Sequence, residues 1–139
     1  MGRILAIDYG NKRTGIAVTD PGRIIATPLV TVKTAELETF LREYLDKETV
    51  DSFVVGYPLK MNNEPSEMVK YIDPFLNRLK KLFPGKEINL VDERFTSTIA
   101  QRAMIDGGMR KKYRQDKSNV DRISASLILQ SFLEQQKNK

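Results

Sequence analysis

The stretch that decides the fold is residues 4–15, ILAIDYGNKRTG. Its first four residues form an unbroken apolar run, which predicts a central β-strand covered on both faces. The run ends in one carboxylate, Asp8, and Gly10, Arg13 and Gly15 follow within a space too short for a helix. The glycines allow a tight turn and leave room for a phosphate backbone, and the planar guanidinium of Arg13 suits phosphate. An ordinary alternative makes Asp8 a turn residue and Arg13 a surface charge.

The hydrophobic pattern of the remaining chain predicts an alternation of strands and helices. Strands are expected at residues 3–9, 15–20, 24–32, 52–57 and 88–91, and helices at about 34–47, 69–82, 97–106 and 119–135. Short links between the first three strands favour an antiparallel meander. The order βββαβαβαα implies an α/β fold, a mixed five-stranded sheet with helices on both faces, in one domain over residues 1–139.

Three local signals refine this prediction. Pro28 indicates an edge strand or a strand end, because proline cannot donate to the ladder. Thr34 is expected to cap the first helix. Pro74 lies inside the second helical pattern, so this helix is expected to kink there or to restart with Asp73 as its cap.

Composition excludes several kinds of chemistry. The 139 residues contain no cysteine and no histidine, which removes thiolate nucleophiles, imidazole acid-base catalysis and Cys- or His-based zinc sites. The net charge of +5 favours an anionic partner, with nucleic acid first. The chain lacks an apolar run long enough to span a membrane and a signal peptide, so we expect a cytoplasmic protein without membrane contact.

Three carboxylates are candidates for catalysis, although each has a plain structural explanation. Asp8 fits a turn aspartate, and Glu93 fits a solvated loop acid beside Arg94. Asp121 fits a capping box in which Ser118 is the helix cap. None of these explanations requires any chemistry.

One observation favours a different role for Asp121. On a helical projection it lies near Ser124, Ala125 and Ile128, a side whose small residues allow close approach to a sheet. A carboxylate facing inward requires a cation. If Asp8 joined it together with Glu93, the three acids could hold two hard cations about 4 Å apart, Mg²⁺ or Mn²⁺, for hydrolysis at phosphorus.

Four motifs together resemble the YqgF family. They are IDYGNKRTGIAV, VVGYPLKMN, VDERFTS and KSNVDRISASLILQSFLE, and they occur in the family's order over nearly the whole chain. The resemblance implies a ribonuclease-H-like fold and metal-dependent phosphodiester hydrolysis. It further implies action on the 5′ end of pre-16S ribosomal RNA or on Holliday junctions. By position, the family's acidic residues match Asp8, Glu93 and Asp121, and its basic ones match Arg13, Arg94 and Lys117.

A basic segment, RKKYRQDK, precedes the last helix. Its cations and its aromatic ring are Arg110, Lys111, Lys112, Tyr113, Arg114 and Lys117. We interpret the segment as an arm that grips phosphates and stacks Tyr113 on a base. A solvated charge run between two helices is the alternative.

Several functions stay open on the sequence. We rank cleavage of a ribosomal RNA precursor above resolution of a DNA four-way junction, which would require a two-fold homodimer to cut symmetric strands. A nucleotide-binding protein would share the first hairpin but normally needs two such domains. A non-catalytic nucleic-acid-binding module would keep the fold and the basic segment without cleavage.

Overall fold

The computed structural model describes residues 2–57, 69–92 and 117–137. Five strands and three α-helices occupy these ranges. They are β1 (Arg3–Asp8), β2 (Arg13–Thr19), β3 (Ala26–Lys33), α1 (Leu37–Lys47), β4 (Val50–Tyr57), α2 (Val69–Leu82), β5 (Glu87–Asp92) and α3 (Lys117–Lys137). The predicted helix at 97–106 lies outside the described residues. The five predicted strands and the other three predicted helices are confirmed, with bounds shifted by a few residues.

The five strands form one mixed sheet in the order β3-β2-β1-β4-β5. β1 pairs antiparallel with β2, which pairs antiparallel with β3, and this confirms the meander. β1 pairs parallel with β4, and β4 pairs parallel with β5. The strand chosen from the apolar run is therefore central. β1, β4 and β5 end at the same edge of the sheet, which we call the carboxyl edge.

Pro28 lies on β3, an edge strand, as predicted. It pairs with Ala17, and the register shifts at this point because Ile16 pairs with Val30. Leu29 is thus the extra residue of a bulge. An edge strand with a bulge accommodates a residue that cannot donate a ladder hydrogen bond.

Helices cover both faces of the sheet, as the element order predicted. On one face, which we call the α1–α2 face, Leu5 and Ile7 of β1 pack in a cluster with α1 and α2. On the other, which we call the α3 face, Ile4 and Ala6 pack in a cluster with α3. Alternate residues of β1 thus point to opposite helical layers, as strand geometry requires.

One expectation about helix ends is wrong, and one of the two alternatives stated for Pro74 is excluded. Thr34 lies in a short 3-10 helix (Thr34–Glu36) before α1, and its hydroxyl bonds to Gly10 rather than capping the helix. α2 runs through Pro74 without restarting at Asp73. The Asp73 carboxylate instead accepts a hydrogen bond of 3.0 Å from the Tyr57 hydroxyl. In both cases the side chain bonds to a residue distant in sequence and does not cap a helix.

Candidate functional site

Asp8 is the last residue of β1 and lies at the carboxyl edge. Ile4 and Ala6 pack on the α3 face, so strand alternation places Asp8 on that face as well. It is partly buried, whereas the four residues before it are fully buried. The end of a buried strand thus presents one carboxylate beside the α3 layer.

Gly15 and Arg13 share this corner of the sheet. Gly15 pairs directly with Asp8, and having no side chain it leaves the space beside the Asp8 carboxylate open from this position. Ala17 packs on the α3 face, so alternation along β2 places Gly15 and Arg13 there too. Asp8, the open space at Gly15 and Arg13 therefore lie together at the carboxyl edge of the α3 face.

The direction of α3 brings its first turns toward this corner. Its last turns lie at the amino edge, where Phe132 and Leu133 line a cavity together with Ile4 and Ser52. Asp121 comes eleven residues before Phe132, which is about 16 Å along a helix, toward the carboxyl edge.

The start of α3 does not match the capping box that was expected to explain Asp121. The helix already includes Lys117 and Ser118, so Ser118 is not its cap and the capping-box explanation of Asp121 is wrong. The small-residue side expected next to Asp121 is confirmed as a packing face, since Ser124, Ala125 and Ile128 are buried.

A closed ring of hydrogen bonds holds the turn between Asp8 and Arg13. The Thr34 hydroxyl donates to the Gly10 carbonyl oxygen at 2.6 Å and lies 2.9 Å from the Thr14 hydroxyl. The Gly10 N–H points to the Thr14 hydroxyl at 3.5 Å. Because Thr34 uses its proton on Gly10, Thr14 is the donor between the two hydroxyls. The ring ties the turn to β2 and to the start of α1.

Gly10 is required by the tightness of this turn, as the sequence predicted. A Cβ atom at this position would lie 2.1 Å from the carbonyl oxygen of Arg13. That distance is far inside van der Waals contact with a backbone atom that has little freedom to move. Any side chain at Gly10 would therefore displace the turn that carries Arg13.

Thr14, Thr34 and Tyr9 contribute to the site without a signal in the sequence. The two threonines are 20 residues apart, and no pattern links them. Tyr9 stacks on Phe75 of α2, with ring centroids 4.7 Å apart. Burial, followed by the negative charge of Glu38, raises the pKa of Tyr9 above its ordinary value. The Tyr9 phenol, which packs on the α1–α2 face, is thus neutral at physiological pH.

The remaining predicted site residues lie outside the described residues or are described by backbone alone. Those outside are Glu93, Arg94, Arg110, Lys111, Lys112, Tyr113 and Arg114, and those described by backbone alone are Lys117 and Asp121. Glu93 directly follows the end of β5. Among the side chains that the structure describes, no group of three His, Cys, Asp or Glu residues could hold a metal ion. Within the same ranges, no helix is long and apolar enough to cross a membrane.

Comparison with known proteins gives a consistent result. Residues 2–135 match the family model described as RuvX: Holliday junction resolvase. The chain is 55% identical over 137 residues to a "Putative pre-16S rRNA nuclease" of Phocaeicola vulgatus, with 99% of each chain covered. A protein of the same name from Parabacteroides distasonis is 53% identical over 137 residues, with 99% of this chain and 98% of that protein covered.

A solved structure agrees on the fold. The fowlpox virus resolvase, crystallised with Holliday junction DNA, matches with a TM-score of 0.59 at 12% identity. The match covers 96% of this chain and 98% of the viral one. The ribonuclease-H-like architecture expected from the four motifs is therefore confirmed.

Proposed function

This chain belongs to the Holliday junction resolvase family and is a nuclease, and we propose that Asp8, Glu93 and Asp121 are its catalytic carboxylates. The observation that carries the proposal is the corner around Asp8. There the end of a buried strand presents a carboxylate on the α3 face next to the side-chain gap at Gly15. Glu93 follows β5, which ends at the same edge, and Asp121 lies in the half of α3 nearer that edge.

The proposed donors suit magnesium or manganese, and we propose two ions. The three proposed donors are carboxylates, and the chain has no histidine or cysteine to supply an imidazole or thiolate ligand. Hard divalent cations prefer oxygen ligands of this kind. Bound ions would activate water and neutralise charge on the phosphate. The chain itself would hold Arg13 toward a phosphate oxygen, because the hydrogen-bonded turn fixes the start of β2. Arg94, the basic segment and Lys117 are proposed to bind further phosphates.

We propose the 5′ end of pre-16S ribosomal RNA as the substrate. The support is the name shared by relatives that are more than half identical over almost the entire chain. Such a substrate implies a cytoplasmic protein. The family description favours a second candidate, a four-way DNA junction, and that candidate would require a homodimer.

Cleavage assays with Asp8→Asn test this function. Purified wild type and variant receive end-labelled pre-16S RNA and a four-way DNA junction, each with Mg²⁺, Mn²⁺ or a chelator. We expect metal-dependent cleavage of the RNA and a loss of about 100-fold or more in the variant, because the carboxylate holds the ion that the reaction needs.

Asp46→Asn is the matched control, since it removes the same charge from an exposed position on α1. It should cleave like wild type. Cleavage of the junction alone would transfer the proposal to DNA. Binding without any cleavage, equal in wild type and Asp8→Asn, would refute the catalytic role and favour the non-catalytic module.

A further inference from the structure

An aromatic groove lies on the α1–α2 face of the sheet. It encloses about 320 Å³, and three of its lining residues are Tyr9, Tyr71 and Phe75. The rings of Tyr9 and Phe75 stack on each other with an interplanar angle of 24°. Tyr71, in the first turn of α2, is 39% exposed. The groove thus has one wall of fixed rings and one ring that is open to solvent.

The groove opens at the carboxyl edge, next to the proposed catalytic corner. Tyr9 directly follows Asp8, so their Cα atoms are about 3.8 Å apart, while their side chains lie on opposite faces. Thr34 lines the groove and also bonds to Gly10 in the turn after Asp8. A chain bound at Asp8 therefore reaches the groove by passing around the end of β1.

Further contacts fix the groove's position. The Tyr57 hydroxyl at the end of β4 donates to Asp73 in α2. Two guanidinium nitrogens of Arg78 in α2 bond to the two carboxylate oxygens of Glu38 in α1. These contacts join both walls of the groove to each other and to the sheet. The groove is thus formed before any ligand arrives, which lowers the entropic cost of binding.

Charged groups lie in the groove and on its exposed ring. The Nζ atom of Lys70 lies over the Tyr71 ring, 5.3 Å from its centre, which places an ammonium group against one face of this ring. Glu38 and Arg78 also line the groove, where they are paired with each other. Aromatic rings next to cations form the usual platform for single-stranded nucleic acid, because every base has a π-face and is followed by a phosphate.

We propose that this groove binds the unpaired base of a nucleotide adjacent to the cleaved phosphate, with the base stacked on Tyr71. The inference rests on the proposed function and deepens it, since it assigns the substrate class. A volume near the lower limit for ligand pockets, about 300 Å³, suits one base and not a base pair. The substrate is therefore single-stranded, or has a nucleotide splayed out, beside the cleavage site.

Fluorescence of 2-aminopurine tests the groove independently of cleavage. The probes are 12-nucleotide RNA and DNA single strands that carry one 2-aminopurine at successive positions, bound to the Asp8→Asn protein so that they stay intact. Stacking on Tyr71 should quench the fluorophore at one position. Tyr71→Ala in this background should abolish that quench and weaken binding roughly 5- to 150-fold. Tyr71→Phe should keep both, because it keeps the ring.

The matched control is Ile25→Ala, which truncates a side chain that is 62% exposed in the turn between β2 and β3. It should bind and quench as the background does, and thermal unfolding verifies that each variant is folded.

The proposal is overturned if Tyr71→Ala quenches and binds as the background does, or if Tyr71→Phe loses as much quenching and affinity as Tyr71→Ala. If the wild type does not cleave but quenching still depends on Tyr71, the nuclease proposal alone is refuted. Asp8-dependent cleavage that Tyr71→Ala leaves unchanged would refute the groove alone. The stronger of the RNA and DNA responses identifies the sugar that is preferred.

Discussion

At the scale of single residues, the turn after Asp8 needs a small residue at Gly10 and hydroxyl groups at Thr14 and Thr34. Gly10 is needed because the Arg13 carbonyl oxygen occupies the place where a Cβ atom would be. Thr14 is fully buried, and within the described ranges its hydroxyl bonds to Thr34 and Gly10. Loss of the Thr34 hydroxyl leaves the Thr14 donor and the Gly10 carbonyl without this partner, and a buried polar group without a partner costs more than the bond itself.

Thr34→Val tests this ring. Valine has the shape of threonine without its hydroxyl, so Thr14 and the Gly10 carbonyl lose their partner. We expect a decrease of about 1–3 kcal/mol in the free energy of unfolding in urea and slower substrate cleavage, because the turn before Arg13 loosens. Thr34→Ser keeps the hydroxyl and should be close to wild type. Thr39→Val, at an exposed position of α1, is the control, and a stability equal to that of Thr34→Val would contradict the ring.

At the scale of elements, the two helices of the α1–α2 face are joined by one ion pair. Arg78 binds Glu38 through two nitrogens, and this hydrogen bonding lowers the pKa of Glu38 below its ordinary value. The Arg78 side chain is 64% exposed, so solvent screens the pair and its contribution is small. The pair positions α1 relative to α2 more than it stabilises the protein.

Acid unfolding shows the contribution of this pair. A carboxyl whose folded pKa is lowered stabilises the protein above its unfolded pKa, about 4.3, and this stabilisation is lost as the pH falls through the folded pKa. Glu38→Gln should therefore lower the melting temperature slightly at pH 6 and not at pH 2.5. Glu43→Gln, an exposed carboxylate of the same helix, controls for the change in net charge. An equal decrease at both pH values would show that packing, and not charge, is responsible.

At the scale of the whole molecule, the proposed catalytic corner and the aromatic groove lie on opposite faces of the sheet. Asp8 and Arg13 lie on the α3 face, whereas Tyr9 and the aromatic groove lie on the other. A bound nucleic acid would thus wrap around the carboxyl edge. The net charge of the chain, +5, favours association with a polyanion.

The salt dependence of binding measures the contribution of the basic segment. Lys111→Ala, Lys112→Ala and Arg114→Ala together should weaken binding of a 12-nucleotide strand. They should also reduce the slope of log affinity against log salt by about 0.7 for each phosphate contact that is lost. Lys80, Lys81 and Lys86, replaced together by Ala, remove the same charge at and after the last turn of α2. An unchanged slope in the first variant, or the same decrease in both, would refute the arm.

The sequence by itself determined the elements and their layers. Four apolar residues before Asp8 identified the central strand, Pro28 identified an edge, and the order of strands and helices implied helices on both faces. These features depend on local periodicity and on backbone donors, which a sequence displays directly. The four motifs likewise indicated the family that the match over residues 2–135 shows.

Only the tertiary structure decided how local groups are used. Thr34 and Asp73 fitted the pattern of helix caps, yet their side chains bond to Gly10 and Tyr57, which are distant in sequence. The pairing of Gly15 with Asp8 and the meeting of Tyr9 with Phe75 depend on register and on helix packing. Hydrogen bonds and ring contacts between residues 16 or more positions apart leave no periodic trace in a sequence, because they are fixed only when the layers pack.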